Sequence, residues 1–93
     1  VMTRKKGKKR TISGVIVPED WDDRNRVIRV GVKISDYEEY LVEYNQKGKE
    51  LMSLIDQKVR VKGKVRELLD GDLMIAVMSY ELIGKDEEGQ YDA

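Results

Sequence analysis

The chain of 93 residues contains no His and no Cys. It therefore offers no imidazole general base, no thiolate nucleophile and no zinc set of the Cys/His kind. The hydroxyls of Ser13, Ser35, Ser53 and Ser79 have nothing of the usual type to activate them. Carboxylates are plentiful, but they sit in acidic stretches where nothing sets one pKa apart from its neighbours. No glycine-rich phosphate loop is present. These absences point to a protein that is not an enzyme and carries no cofactor. The run Glu19-Asp20-Trp21-Asp22-Asp23 supplies oxygen ligands of the type that hard cations take. Its spacing is not that of an EF-hand loop, so a solvated loop without metal is expected there.

What remains is ionic recognition. Lys+Arg and Asp+Glu number 18 each, for a formal net charge of zero, yet the signs are segregated. Residues 1–10 hold Arg4, Lys5, Lys6, Lys8, Lys9 and Arg10 without an acid, and residues 85–93 are acidic. Both ends lack apolar periodicity, so residues 1–9 are expected to be a disordered basic tail and 85–93 a disordered acidic one. The span 10–84 is then a single mildly acidic domain. Within it, Lys58, Arg60, Lys62, Lys64 and Arg66 alternate with other residues, which puts five cations on one face of a strand. Such a row can track a phosphate backbone. It can equally be a solvated face whose long stems cover apolar neighbours. No apolar run approaches the ~18 residues of a membrane span, and no apolar stretch follows the basic start as in a secretory signal. A cytoplasmic protein without membrane contact is expected.

The elements that would position these groups are mostly strands. Residues 10–17 read as the first, ended by Pro18, with 18–25 as a loop. Residues 26–34 alternate, with Ile28, Val30, Val32 and Ile34 on one face and Arg29, Gly31 and Lys33 on the other. Residues 38–44 alternate again. One hairpin register sets Val32 against Tyr40, Val30 against Val42 and Ile28 against Tyr44, and it also brings Lys33 to Glu39 and Arg29 to Glu43. Residues 46–57 change to a helical period through Leu51, Leu54 and Ile55. Asn45 suits the N-cap, and Gly48 argues for a start at Lys49. Residues 58–68 form a fourth strand, Asp70-Gly71 a two-residue turn, and 72–83 a fifth strand. Tyr80 shares a parity with Met78 and Leu82 that points to the core, and Ile75 and Val77 fall on the outer face beside Arg66 and Lys64.

Gly14, Gly31 and Gly63 each interrupt a strand near its middle, where a strand bends sharply. Bent strands, short hairpins and one helix between strands three and four give a small closed five-stranded barrel, ordered β-β-β-α-β-β, with Leu51, Met52, Leu54 and Ile55 as its plug. This resembles the OB-fold, a Greek-key barrel. The passage KELMSLIDQKVRVKGKV, Lys49 to Val65, is similar to the helix-to-strand-four segment of many OB nucleic-acid-binding domains. The resemblance implies binding of single-stranded DNA or RNA on the outer face of strands two and three and the adjoining loops. On that basis the candidate contacts are Trp21, Arg24, Arg26, Arg29 and Lys33, assisted by Lys62 and Lys64 of the basic row and by the N-terminal tail. The sequence departs from the pattern in one respect. No aromatic residue lies on that face to stack a base, and the flanking loops are acidic. A protein-interaction or self-association module using the outer barrel face is therefore the alternative. Trp21, among charges, either closes one end of the barrel or stands out as an anchor.

Overall fold

The computed structural model describes residues 7–83; the two tail expectations fall almost wholly outside them. Five strands, β1 (Lys8–Trp21), β2 (Val27–Ser35), β3 (Glu38–Val42), β4 (Lys58–Glu67) and β5 (Leu73–Leu82), close into a barrel in the order β1-β2-β3-β5-β4. The short helix α1 (Gln46–Glu50) and a 3-10 turn (Leu51–Ser53) lie between β3 and β4. This is the β-β-β-α-β-β layout expected. All strand pairs are antiparallel except β3 with β5, which seals the ring in parallel. The core is Ile12, Ile16, Val30, Val32, Tyr40, Val42, Leu51, Val59, Val61, Ile75 and Val77, with no buried polar or charged residue among the described residues. Leu51 is fully buried, and Met52, Leu54 and Ile55 pack around it. They form the expected plug.

β1 begins at Lys8, inside the span read as tail, and it does not stop at Pro18. It pairs onward to Trp21 through irregularities at Pro18/Asp20 and Asp20/Trp21. Amide direction alternates along a strand, and the Ile16 N–H points to the β4 side, donating to Gln57 O at 3.0 Å. The nitrogen of Pro18 therefore faces away from β2, where no ladder bond is lost, and the ring is tolerated. The loop is only Asp22–Arg26. Asn25, at φ 63°, takes the left-handed conformation that this residue type accepts.

The β2–β3 register is the expected one at Gly31↔Leu41, Val32↔Tyr40 and Lys33↔Glu39. It ends there because β3 turns to β5, and Glu43 N–H donates to Ile75 O at 2.9 Å. Ile28 and Tyr44, expected in the core, overhang the barrel end at 43% and 64% exposure. Asn45 does cap α1, accepting from Gly48 N–H at 2.7 Å. The helix nevertheless starts at Gln46, not Lys49. Gly48 is buried there, and a Cβ on it would fall 2.3 Å from Glu43 O.

The β4–β5 turn differs from expectation with larger consequences. Leu68 N–H donates to Asp72 O at 2.8 Å and Gly71 N–H to Leu68 O at 2.9 Å, with Gly71 at φ +96°. This is a loop Leu69-Asp70-Gly71 that ends on a left-handed glycine, the form built on a type I turn and a bulge, instead of the two-residue turn. The extra residue slips the register by one, giving Val65↔Ile75 and Gly63↔Val77. Ile75 and Val77 are therefore core residues, not outer-face partners of Arg66 and Lys64. An irregularity between Lys62 and Gly63 leaves Met78 unpaired and restores the expected register, Lys62↔Ser79 to Val59↔Leu82. Past that bulge Tyr80 turns inward and packs on the core. Met78 and Leu82, expected to share its burial, are exposed.

Candidate nucleic-acid interface

Directly opposed residues of neighbouring strands point to the same side, so the registers fix what each face presents. On β2–β3 the outer row is Arg29, Gly31, Lys33, Glu39, Leu41 and Glu43. The expected cross-strand ion pairs do not form there. Glu43 instead accepts from Arg66 at 3.1 Å, reaching over from β4. Glu39 folds over Gly31, the one position where no side chain blocks it, and its Oε2 is buried without a hydrogen-bond partner. Glu19 leans on the same glycine. Beside them opens a cleft of about 180 Å³ lined by Glu19, Glu39, Leu41, Asp72 and Leu73. This face is acidic at its centre.

The β1–β2 loop is organised around Asp22. Its carboxylate accepts from the backbone N–H of Arg24 at 2.8 Å and of Arg26 at 2.9 Å, and from Arg26 Nε at 3.0 Å. The Arg26 backbone bond foremost, joined by those of Arg24 and the Arg26 side chain, holds the Asp22 carboxyl below its ordinary value against the opposing effect of desolvation. Asp22 is thus the organiser of a turn. Among the described residues, no group of three or more acids forms a set able to hold a metal ion. Trp21 is exposed (49%) and does not close the barrel. Arg24 and Arg26 are exposed beside it, and Arg29 lies opposite Asp20.

On the other side of the barrel the cations converge. The outer rows across β2, β1, β4 and β5 read Lys33–Val15–Lys58, then Ser13–Arg60–Glu81, Thr11–Lys62–Ser79 and Lys9–Lys64–Ala76. Arg60 is ion-paired with Glu81. Lys9, Lys33, Lys62 and Lys64 are exposed, and none makes an ion pair within the described residues. A shallow cleft of about 280 Å³ crosses these rows, lined by Thr11, Arg60, Lys62, Ser79, Tyr80 and Glu81. Tyr80 turns its hydroxyl away to Glu50, donating at 2.7 Å, and that bond raises its pKa above the ordinary value.

Of the seven candidate residues, Lys33, Lys62 and Lys64 therefore share one face. Trp21, Arg24 and Arg26 sit at the far end of β1 from the Thr11–Lys62 row, with Arg29 near them. Thr11, Ser13 and Ser79 belong to the basic face and were missed, and Lys9, expected in a disordered tail, stands on the same face as part of β1. The signal was present in the alternation of Lys9, Thr11 and Ser13 with Arg10 and Ile12. No protein-family model matches the chain, and no curated protein or solved structure matches it.

Proposed function

We propose that this protein is a non-catalytic module that holds single-stranded nucleic acid by its phosphates, on the outer face of β1 and β4. One observation carries the reading. Lys9, Lys33, Lys62 and Lys64 stand exposed on one continuous face without an ion-pair partner among the described residues, interleaved with the hydroxyls of Thr11, Ser13 and Ser79. Ammonium groups neutralise phosphates and hydroxyls donate to their oxygens, and both position a strand without reading its bases. Among the described residues no aromatic ring of this face is free to stack, so binding is indifferent to sequence. The likeness of the barrel to the OB-fold supports the class of ligand. The acidic β2–β3 face argues for a different surface from the one that likeness implies. Ile75 and Val77, the apolar pair that would have favoured a protein contact, are in the core.

The test is a titration of isotope-labelled protein with oligothymidylate and oligouridylate at low salt. The amides and Nζ signals of Lys9, Lys33, Lys62 and Lys64 shift together with saturation, while Glu39 and Leu41 stay in place. Shifts centred on β2–β3 or on Arg24 and Arg26 would place the ligand elsewhere, and no saturable shift removes the function.

A further inference from the structure

Among the described residues, the first half of β1 is paired on one side only. Lys8–Val15 pair without irregularity with Val65–Lys58 of β4. The ladder to β2 starts only at Val15, and β2 ends at Ser35. Among the described residues no strand is paired to the other edge of Lys8–Ser13. The Ile16 N–H points to the β4 side, and direction alternates along the regular ladder. The N–H and C=O groups of Lys9, Thr11 and Ser13 therefore aim into the open side. The pairing with β2, which starts at Val15, does not reach them there.

An open edge is a template for another strand, and charge decides which. Lys8, Lys9 and Arg10 are all exposed on it. A second copy pairing edge to edge would bring the same three cations against them, the arrangement by which natural edges discourage self-association. An acidic segment meets attraction instead. Side-chain alternation narrows the partner further. On the outer side an added strand runs beside Lys9 and Thr11, with Lys33 at its end, since Lys33 lies opposite Val15. On the inner side it meets Ile12, 8% exposed, and Ile34, half-buried against the core.

We infer that the open edge of β1 accepts an extended peptide of alternating acidic and apolar residues as a further strand, acids outward beside Lys9 and Lys33, apolar side chains inward over Ile12 and Ile34. Main-chain bonds to Lys9, Thr11 and Ser13 hold it. This is a contact with protein at the strand edge, and it shares Lys9 and Lys33 with the phosphate track on the strand's outer face.

The probe is a capped octapeptide of four Glu-Val repeats, read by amide hydrogen exchange on the full-length chain. At saturation the Thr11 and Ser13 amides exchange at least tenfold more slowly, and the Ile12 amide, already bonded toward β4, is unchanged. A peptide of equal charge with a central Pro gives no protection, and Thr11→Pro, which removes one open N–H and no β4 bond, weakens binding at least tenfold. The inference is overturned if the proline peptide binds as well as the parent. It is overturned too if no amide of the edge responds, if oligothymidylate alone protects Thr11 and Ser13, or if those amides are protected without peptide in proportion to protein concentration. The last result would assign the edge to a second copy.

Discussion

Replacing Lys62 and Lys64 together by Ala should change how nucleic-acid affinity depends on salt, by an amount the structure sets. The proposed face carries four lysines without ion pairs in the described residues, Lys9, Lys33, Lys62 and Lys64. Each phosphate neutralised on a single strand contributes about −0.7 to the slope of log affinity against log salt. Four contacts give about −2.8, so raising salt from about 50 to 200 mM weakens binding ~50-fold. Without Lys62 and Lys64 the slope becomes shallower by about 1.4, and the same change in salt costs only ~7-fold. The difference between parent and variant is the quantity to measure, because cations elsewhere in the chain contribute equally to both and cancel. Fluorescence anisotropy of a labelled oligothymidylate across that range gives both slopes, and circular dichroism confirms that the exposed substitutions leave the fold intact. The Arg24→Ala/Arg26→Ala double variant serves as the comparison. Both residues lie at the far end of β1, and Arg26 is already bonded to Asp22, so its slope matches the parent's. Equal slopes for parent and lysine variant, or an equal loss in the arginine variant, would refute the assignment of the face.

Leu51→Ala, at a fully buried site in the barrel plug, should cost about 2.5–4 kcal/mol in denaturant unfolding; a loss under 1 kcal/mol would mean that the plug does not seal the core. Gly48→Ala should destabilise although alanine favours helices, since its Cβ would meet Glu43 O at 2.3 Å; a raised melting temperature would contradict the close packing of α1 on β3. Tyr80→Phe should cost about 1 kcal/mol through the lost bond to Glu50. The Tyr80 pKa is raised in the fold from its ordinary 10.0, chiefly by that bond, so the contribution is complete below that value and fades as pH climbs through the raised one. The stability gap between Tyr80→Phe and parent should therefore close in strong alkali, and a gap that persists unchanged there would assign the effect to packing.

Alternation made the ring of strands readable, because a face that must be buried repeats every second residue. Val30, Val32, Tyr40, Val42, Val59 and Val61 are core residues for that reason. Alternation fails as a guide where a single residue is inserted or a ladder stops. Asp70-Gly71 has the letters of a two-residue turn, yet glycine serves a three-residue loop equally well in the left-handed position. One residue of slip exchanged the two faces of β5 as far as Met78. Ile28 and Tyr44 obey the register but lie past the point where β3 leaves β2, a change of partner that only the parallel pairing with β5 dictates. A proline usually stops a ladder, yet β1 continues past Pro18. Its tolerance depends on which side its nitrogen faces, and that is fixed by the neighbours of β1.

The candidate site was legible in the same partial way, and for a related reason. The row Lys58 to Arg66 could be read from its spacing, but spacing says nothing of which cations are already neutralised. Glu81 takes Arg60 from the next strand, and Glu43 takes Arg66 across the β3–β5 seam. Both acids are brought to the row by pairings between distant parts of the chain. Conversely Lys33 was expected opposite an acid, and its register is correct, but Glu39 turns into the space over Gly31 and leaves it. That one glycine separates the two faces of the barrel. Where a side chain at position 31 would have held Glu39 upright beside Lys33, its absence draws Glu39 and Glu19 together on the β2–β3 side. Lys33 is left to join Lys9, Lys62 and Lys64 on the other. A chain with no net charge thereby presents a basic face and an acidic one.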